Sequence, residues 1–285
     1  MKFKHLIIAF SVIIIVIISV IALLSLLSAG PEFAANFRYI IIPLLLFMFL
    51  LLVCIGIFFL LNYRLFSLLE REDWPALAYY LEQKIFVKNR YNARYVQLLA
   101  SSYLVISDYN SVLKLENKAM ISKPSVVDKN ILLFGAARIL SARPKEAVAF
   151  FISHMGKCRA RDRQWVRWYY GFSQLLAGAF NIAEPEFTSL AVSSSDALIT
   201  GLSAYFLHSS IEKYSLKSGE CRAAAENGRS RVVSALINPG GWKIEAEKMG
   251  TEIHIAIIRK YIDEAGKWLF GEDVKAGEVS VKEKV

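Results

Sequence analysis

Few side chains in this 285-residue sequence could do catalytic or metal chemistry. The chain has four His and three Cys, and it contains none of the short motifs that bind phosphates, activate a serine or hold zinc. His154 and Cys158 are four residues apart, so they would share a helical face and could supply two metal ligands. A zinc site needs three or four ligands. We therefore expect no enzyme activity, no metal and no cofactor.

The first feature that suggests a binding role is the cation-rich segment 157–167, in which Asp162 is the only acid. Near a bilayer, each well-placed cation would gain about 1 kcal/mol from anionic headgroups. The same run would suit an acidic partner, or it could be a solvated helix face. The net charge of +9 is spread over the chain, so we expect no nucleic acid as partner. The candidate contacts with an anionic surface are Lys157, Arg159, Arg161, Arg163 and Arg167.

Two long apolar stretches precede these candidates, at residues 6–29 and 39–61. Each exceeds the about 20 residues that cross a hydrocarbon core, so they predict an integral membrane hairpin over residues 1–62. A cleaved signal peptide is the alternative for the first stretch, although its apolar run is longer than usual. Neither stretch carries an ionisable side chain, which favours an anchor over an ion pathway.

The charges that flank the two stretches predict the orientation. Lys2 and Lys4 precede the first stretch, Arg64 and Arg71 follow the second, and the connecting loop is neutral overall. The positive-inside bias places both termini and the soluble domain in the cytoplasm of a bacterial cell, with a periplasmic soluble domain as the alternative.

The rest of the chain has an internal period. Apolar residues recur every three or four positions, which predicts an all-helical domain. Turn signals precede residues that are 35, 35 and 36 positions apart, namely Trp74, Tyr109, Pro144 and Phe180. Small residues keep the same step and would let paired helices approach closely. These repeat-packing residues are Ala100, Gly135, Ala147, Gly171 and Ala183.

This pattern resembles the tetratricopeptide (TPR) family, whose helix–turn–helix repeat has about 34 residues. The best unit is 93–126, where Leu99-Ala100 and Tyr103 fit the first helix and Pro124 fits the closing proline. Glu116 departs from the usual large apolar residue. The resemblance covers about residues 64–197 and implies an α-solenoid in which each helix pair packs on the next.

In the TPR frame, first-helix side chains line a concave groove that suits an amphipathic helix or an extended peptide. The paired Asn and Lys with which family members clamp a peptide carboxylate are not present. The sequence leaves open whether the groove takes an external partner or the chain's own C-terminal helix. The implied groove residues are Arg94, Gln97, Lys129, Leu132, Trp165, Trp168 and Phe172.

The period breaks after residue 197. We expect a degenerate repeat and C-terminal capping helices over 198–270, with a linker at 217–219. A single long helix is predicted from Trp242 to Phe270, and a disordered tail at 271–285.

The predicted fold is therefore all-α, with two transmembrane helices (1–62), TPR-like repeats (63–197) and C-terminal helices. The predicted function is a membrane-anchored scaffold in a bacterial inner-membrane assembly of the envelope biogenesis, secretion or motility type. Its partners would be membrane lipids, an unknown protein and, as a homo-oligomer, further copies of itself. The alternatives are an oligomeric channel or transporter subunit capped by the helical domain, and a lipid-surface binding module.

Overall fold

The computed structural model describes residues 12–13, 15–17, 19–20, 31–250 and 252–271, without the side chains of 31–42, 45 and 161. Most of the first predicted span and all but the first residue of the predicted tail lie outside this part of the chain. Within it, every regular element is helical and no strand is present, as the apolar spacing predicts. The chain divides into two compact units, at residues 1–80 and 81–285.

The first unit contains α1 (Pro31–Glu70) and most of α2 (Trp74–Glu82). The predicted loop between the two spans is helical in the structure, so α1 is 40 residues long and has Pro43 in its interior. Its segment Leu46–Glu70 has 25 residues and contains an 18-residue window with a mean hydropathy of 2.6, none of which is buried. By length and composition, this is the one helix in the described residues that could cross a membrane.

The second unit begins with the end of α2 and a π-helical turn at Gln83–Val87. Eight α-helices follow in chain order: α3 (Ala93–Val105), α4 (Tyr109–Ser122), α5 (Pro124–Asp128), α6 (Ile131–Leu140), α7 (Pro144–His154), α8 (Arg163–Leu176), α9 (Phe180–Ser193) and α10 (Ala197–Phe206). Four C-terminal helices complete the unit: α11 (Ser218–Leu236), α12 (Pro239–Lys248), α13 (Ile253–Ile257) and α14 (Arg259–Phe270).

Four tight turns in the chain share one geometry. In each, one residue has a positive φ, its N–H bonds the carbonyl three residues back, and the next N–H bonds the carbonyl five residues back. This is the Schellman arrangement that ends a helix. The positive-φ residues are 35, 35 and 36 positions apart, and they are Glu72, Ser107, Ala142 and Gly178. The period in the sequence is therefore a period of turn geometry.

Aspartates begin the helices after two of these turns. The Asp73 carboxylate accepts the N–H of Ala76, and the Asp108 carboxylate accepts the N–H of Ser111, each at 3.1 Å. Such N-caps typically stabilise a helix by about 1 kcal/mol. Asp196 caps α10 in the same way, as the sequence predicts, by accepting the N–H groups of Leu198 and Ile199.

Successive helix pairs of the second unit pack in order. Helix α3 contacts α4 and α6, α6 contacts α7 and α8, and α8 contacts α9 and α10. Each first helix of a pair therefore touches the first helix of the next pair. The contacts follow the order expected for stacked repeats, whereas membership of the TPR class stays a prediction.

The small residues of the repeat meet different neighbours. Ala100, Ala147 and Ala183 are fully buried. A Cβ on Gly135 would lie 2.0 Å from the Phe151 ring, so any larger residue would force this buried ring to move. A Cβ on Gly171 would lie 3.4 Å from the nearest heavy atom, which is an ordinary contact.

A buried ion pair explains the departure from the TPR pattern at Glu116. This carboxylate is buried and accepts a 3.0 Å hydrogen bond from the guanidinium of Arg138. The guanidinium carbon also lies 4.3 Å from the ring centroid of Phe150. Arg138 therefore neutralises a charge at a position where the family has an apolar residue.

Two predictions for the C-terminal region are wrong. The expected linker at 217–219 is instead the start of α11, and the expected long helix over Trp242–Phe270 is three helices. Trp242 and α14 pack together closely: a Cβ on Gly266 would lie 2.7 Å from the indole. The breaks between the helices let the chain turn back, so that α14 also contacts α10 and α11.

Candidate interaction surface

The three groove aromatics on α8 are core residues. Trp165, Trp168 and Phe172 are all buried, and the rings of Trp168 and Phe172 stack with centroids 5.2 Å apart. Tyr261 of α14 packs at 5.4 Å from Phe172 and at 5.2 Å from Phe206. Tyr261 of α14 thus covers Phe172, while Trp168 is buried against Phe187 and Phe206.

A second C-terminal segment covers the neighbouring part of the groove. The imidazole of His254 on α13 lies 5.3 Å from the Trp165 ring, and the Tyr169 hydroxyl donates a 2.7 Å hydrogen bond to the carbonyl of His254. Burial lowers the pKa of His254 to about 4, so the ring is neutral at physiological pH. The sequence left open whether an external partner or the chain's own C-terminal region packs on the α8 aromatics. In the structure, C-terminal residues pack there.

The groove residues nearer the N-terminus remain accessible. Gln97 and Lys129 are exposed, Leu132 is half-buried, and all three line a small cleft of about 80 Å³ next to His254. Its charged lining has both signs, and it comprises Asp128, Lys129, Arg159, Asp162 and Glu252. Arg94 is exposed on α3 and lines neither this cleft nor the next one.

A larger cleft, which we call the basic cleft, lies beside Lys129. It has a volume of about 620 Å³, and its charged lining is Arg90, Lys123 and Lys129. Asparagine, serine and tyrosine side chains supply most of the remaining lining, and no acidic residue contributes to it. Sequence reasoning missed this site because its cations come from two loops about one repeat apart. The sequence pointed to one of its cations, Lys129, as a groove residue in the TPR frame.

The members of the predicted run of cations differ in exposure and pairing. Lys157, Arg159 and Arg163 are exposed, and only Arg159 lines the small cleft. Arg167 is half-buried and forms an ion pair with Glu186 at 2.9 Å. The side chain of Arg161 lies outside the described residues. The four candidates with described side chains therefore include three exposed cations and one that is ion-paired.

The paired metal-ligand candidates have contacts with the backbone. Nδ1 of His154 lies 2.9 Å from the carbonyl oxygen of Phe150, and the Cys158 thiol donates to the carbonyl of Met155 at 3.1 Å. Among the described residues, no group of three or more His, Cys, Asp or Glu is placed to hold a metal ion.

In the described residues, these features define an all-helical protein with one candidate membrane helix and helix pairs that pack in chain order. The chain belongs to the family described as "Uncharacterised Treponema protein", whose model matches residues 111–271. It is also 28% identical over 228 residues to an uncharacterized protein of Treponema pallidum (strain Nichols), covering 78% of this chain and 72% of that relative. No solved structure matches the chain.

The range matched by the family model includes only part of the helical domain. It begins in α4 and ends at Gly271, just after α14. It therefore includes the C-terminal helices that cover the groove aromatics, together with Lys123 and Lys129 of the basic cleft. Arg90 and the first wall of that cleft lie before the matched range.

Proposed function

We propose that this protein is a membrane-anchored scaffold of TPR-like helical repeats that holds a partner protein at a bacterial inner membrane. The observation that carries the proposal is the apolar part of α1, in which an 18-residue window has a mean hydropathy of 2.6 and is not buried. Leaving so much apolar surface in water would be costly, and a bilayer removes that cost. The same chain carries helix pairs with a recurring turn, which suits a scaffold.

The proposed partner site is the accessible end of the groove. Gln97 and Leu132 line the small cleft, while α13 and α14 fill the groove beyond it. A segment of the partner would bind in the small cleft, next to the C-terminal helices. The recurring turns and ordered packing of α3 to α10 support a solenoid that presents such a groove.

The proposed location rests on sequence and on relatives. The relative with 28% identity is from a bacterium, and the flanking cations favour a cytoplasmic helical domain anchored in the inner membrane. The assembly would be of the envelope biogenesis, secretion or motility type, and copies of the chain could associate within it.

A co-purification experiment tests the scaffold role. The tagged full-length protein is cross-linked in native membranes and purified as wild type, as Gln97→Arg and as Ser234→Arg. Ser234 is exposed on α11, away from the cleft, so it controls for the added charge. The proposal predicts a stoichiometric partner that only Gln97→Arg loses. Extraction of the uncross-linked protein by alkaline carbonate, or equal partner recovery from all three forms, would contradict it.

A further inference from the structure

We propose that the basic cleft binds the phosphate group of a ligand, carried either by a soluble phosphate ester or by the headgroup of an anionic lipid. This site lies beside the partner groove of the proposed scaffold and shares Lys129 with it. Its walls are the loop before α3 and the segment around α5, and Lys129 lies between it and the small cleft.

Among the described residues, no acid lines the basic cleft. Within the described residues, none of Arg90, Lys123 and Lys129 takes part in an ion pair. The small cleft, which shares Lys129, differs because it is also lined by Asp128, Asp162 and Glu252. Cations that line one cleft repel one another, and an anionic ligand would relieve that repulsion.

The chemistry of the lining favours a phosphate over dispersed carboxylates. A guanidinium can hold two phosphate oxygens at once, and lysine ammonium groups add point charges. Three cations around one cleft suit a single group of about two negative charges. The volume of about 620 Å³ leaves room for the organic part of an ester, which the rings of Tyr91 and Tyr95 can contact.

A buried asparagine ties the two walls together. The Asn130 amide donates to the carbonyl of Ala93 in one wall at 3.4 Å and to the carbonyl of Val126 in the other at 2.9 Å. Asn92 caps α3 by accepting the N–H of Arg94 at 2.9 Å. The cleft is therefore formed before a ligand enters, which lowers the entropic cost of binding.

The test compares two double variants of the full-length protein with the same loss of charge. Lys123→Gln/Lys129→Gln removes two cations of the cleft, and Lys145→Gln/Lys243→Gln removes two exposed lysines elsewhere. In neutral detergent, glycerol 3-phosphate is titrated by calorimetry. In nanodiscs of phosphatidylcholine and phosphatidylglycerol, native mass spectrometry counts the phosphatidylglycerol molecules that stay bound. A polyglutamate peptide is the third probe.

We expect the cleft variant to weaken binding of a phosphate probe at least about tenfold and the control variant to leave it within about twofold. Binding of glycerol 3-phosphate would identify a soluble ester as the source, and retention of phosphatidylglycerol alone would identify a lipid. Equal effects of both variants, no binding of either phosphate probe, or tighter binding of polyglutamate would overturn the proposal. The soluble arm needs neither a membrane nor a partner, so its outcome is independent of the scaffold role.

Discussion

At the scale of single residues, Gly135 and Gly171 hold equivalent positions in successive helix pairs but have different freedom. An added methyl would meet the Phe151 ring at 2.0 Å in the first case and its nearest neighbour at 3.4 Å in the second. We expect Gly135→Ala to lower the free energy of unfolding by about 1–3 kcal/mol, because a buried ring must move. Gly171→Ala should be neutral or stabilising, since alanine favours helix by up to ~1 kcal/mol. Denaturation of the full-length protein in detergent, followed by circular dichroism, would measure both, and equal shifts would contradict the contact at Gly135.

The buried His254 predicts a dependence of stability on pH. Its pKa of about 4 lies below its ordinary value of 6.5, so below pH 6.5 the unfolded state binds a proton that the folded state does not. Stability should be constant above about pH 6.5, fall between pH 6.5 and 4, and level off below. The total loss would be about 3 kcal/mol. Glu252, 3.8 Å from Nε2, is the nearest carboxylate. His254→Gln should flatten this slope between pH 7 and 5 in urea titrations, whereas His208→Gln, on an exposed histidine, should leave it in place.

At the scale of elements, the turn between α11 and α12 is strained. Ile237 has φ 65° and ψ −41°, and the N–H of Asn238 bonds the carbonyl of Leu236 at 2.7 Å. This is the rare γ-turn, which a β-branched residue adopts at a cost of about 1–3 kcal/mol. Ile237 is 81% exposed, so replacing it loses little packing. We expect Ile237→Gly to raise the free energy of unfolding by about 1 kcal/mol after the entropy of glycine is included. A lower melting temperature for this variant would argue against the turn.

A buried aromatic of α8 and an exposed residue of the proposed partner site should differ in their effect on stability. Trp168→Ala should lower the free energy of unfolding by about 3–5 kcal/mol, because the indole is fully buried between helices. Gln97→Ala, on an exposed position, should change it by less than about 0.5 kcal/mol. Parallel thermal melts would check both, and a mild effect of Trp168→Ala would contradict its burial against Phe187 and Phe206.

The elements also show how far sequence reasoning reaches. The helical class, the period of the turns and the cap at Asp196 depend on local signals, and the structure has them. The breaks that follow Met249 and Ile257 depend on contacts with distant helices. Tyr261 covers Phe172 across almost 90 residues of sequence, and no local pattern could reveal it. The basic cleft was missed for the same reason, since its cations lie on two different loops.

At the scale of the whole molecule, a candidate membrane-spanning helix and a helical domain belong to one chain. We therefore expect the helical domain to lie on one side of a membrane. A cysteine placed at the exposed Lys145, in a Cys54→Ser background, reports that side, because Cys158 and Cys221 are buried. We expect an impermeant maleimide to label Lys145→Cys only after the inner membrane is permeabilised. Labelling in intact spheroplasts would instead place the helical domain in the periplasm.

The central claim is that the accessible end of the groove holds a partner at the membrane. The most direct measurement is photo-cross-linking in native membranes, with a photoreactive residue at Gln97 and, as a matched control, at Ser234. If a partner binds in this cleft, we expect one dominant adduct with another protein from position 97 and none from position 234. The same adducts from both positions, or none from position 97, would contradict it.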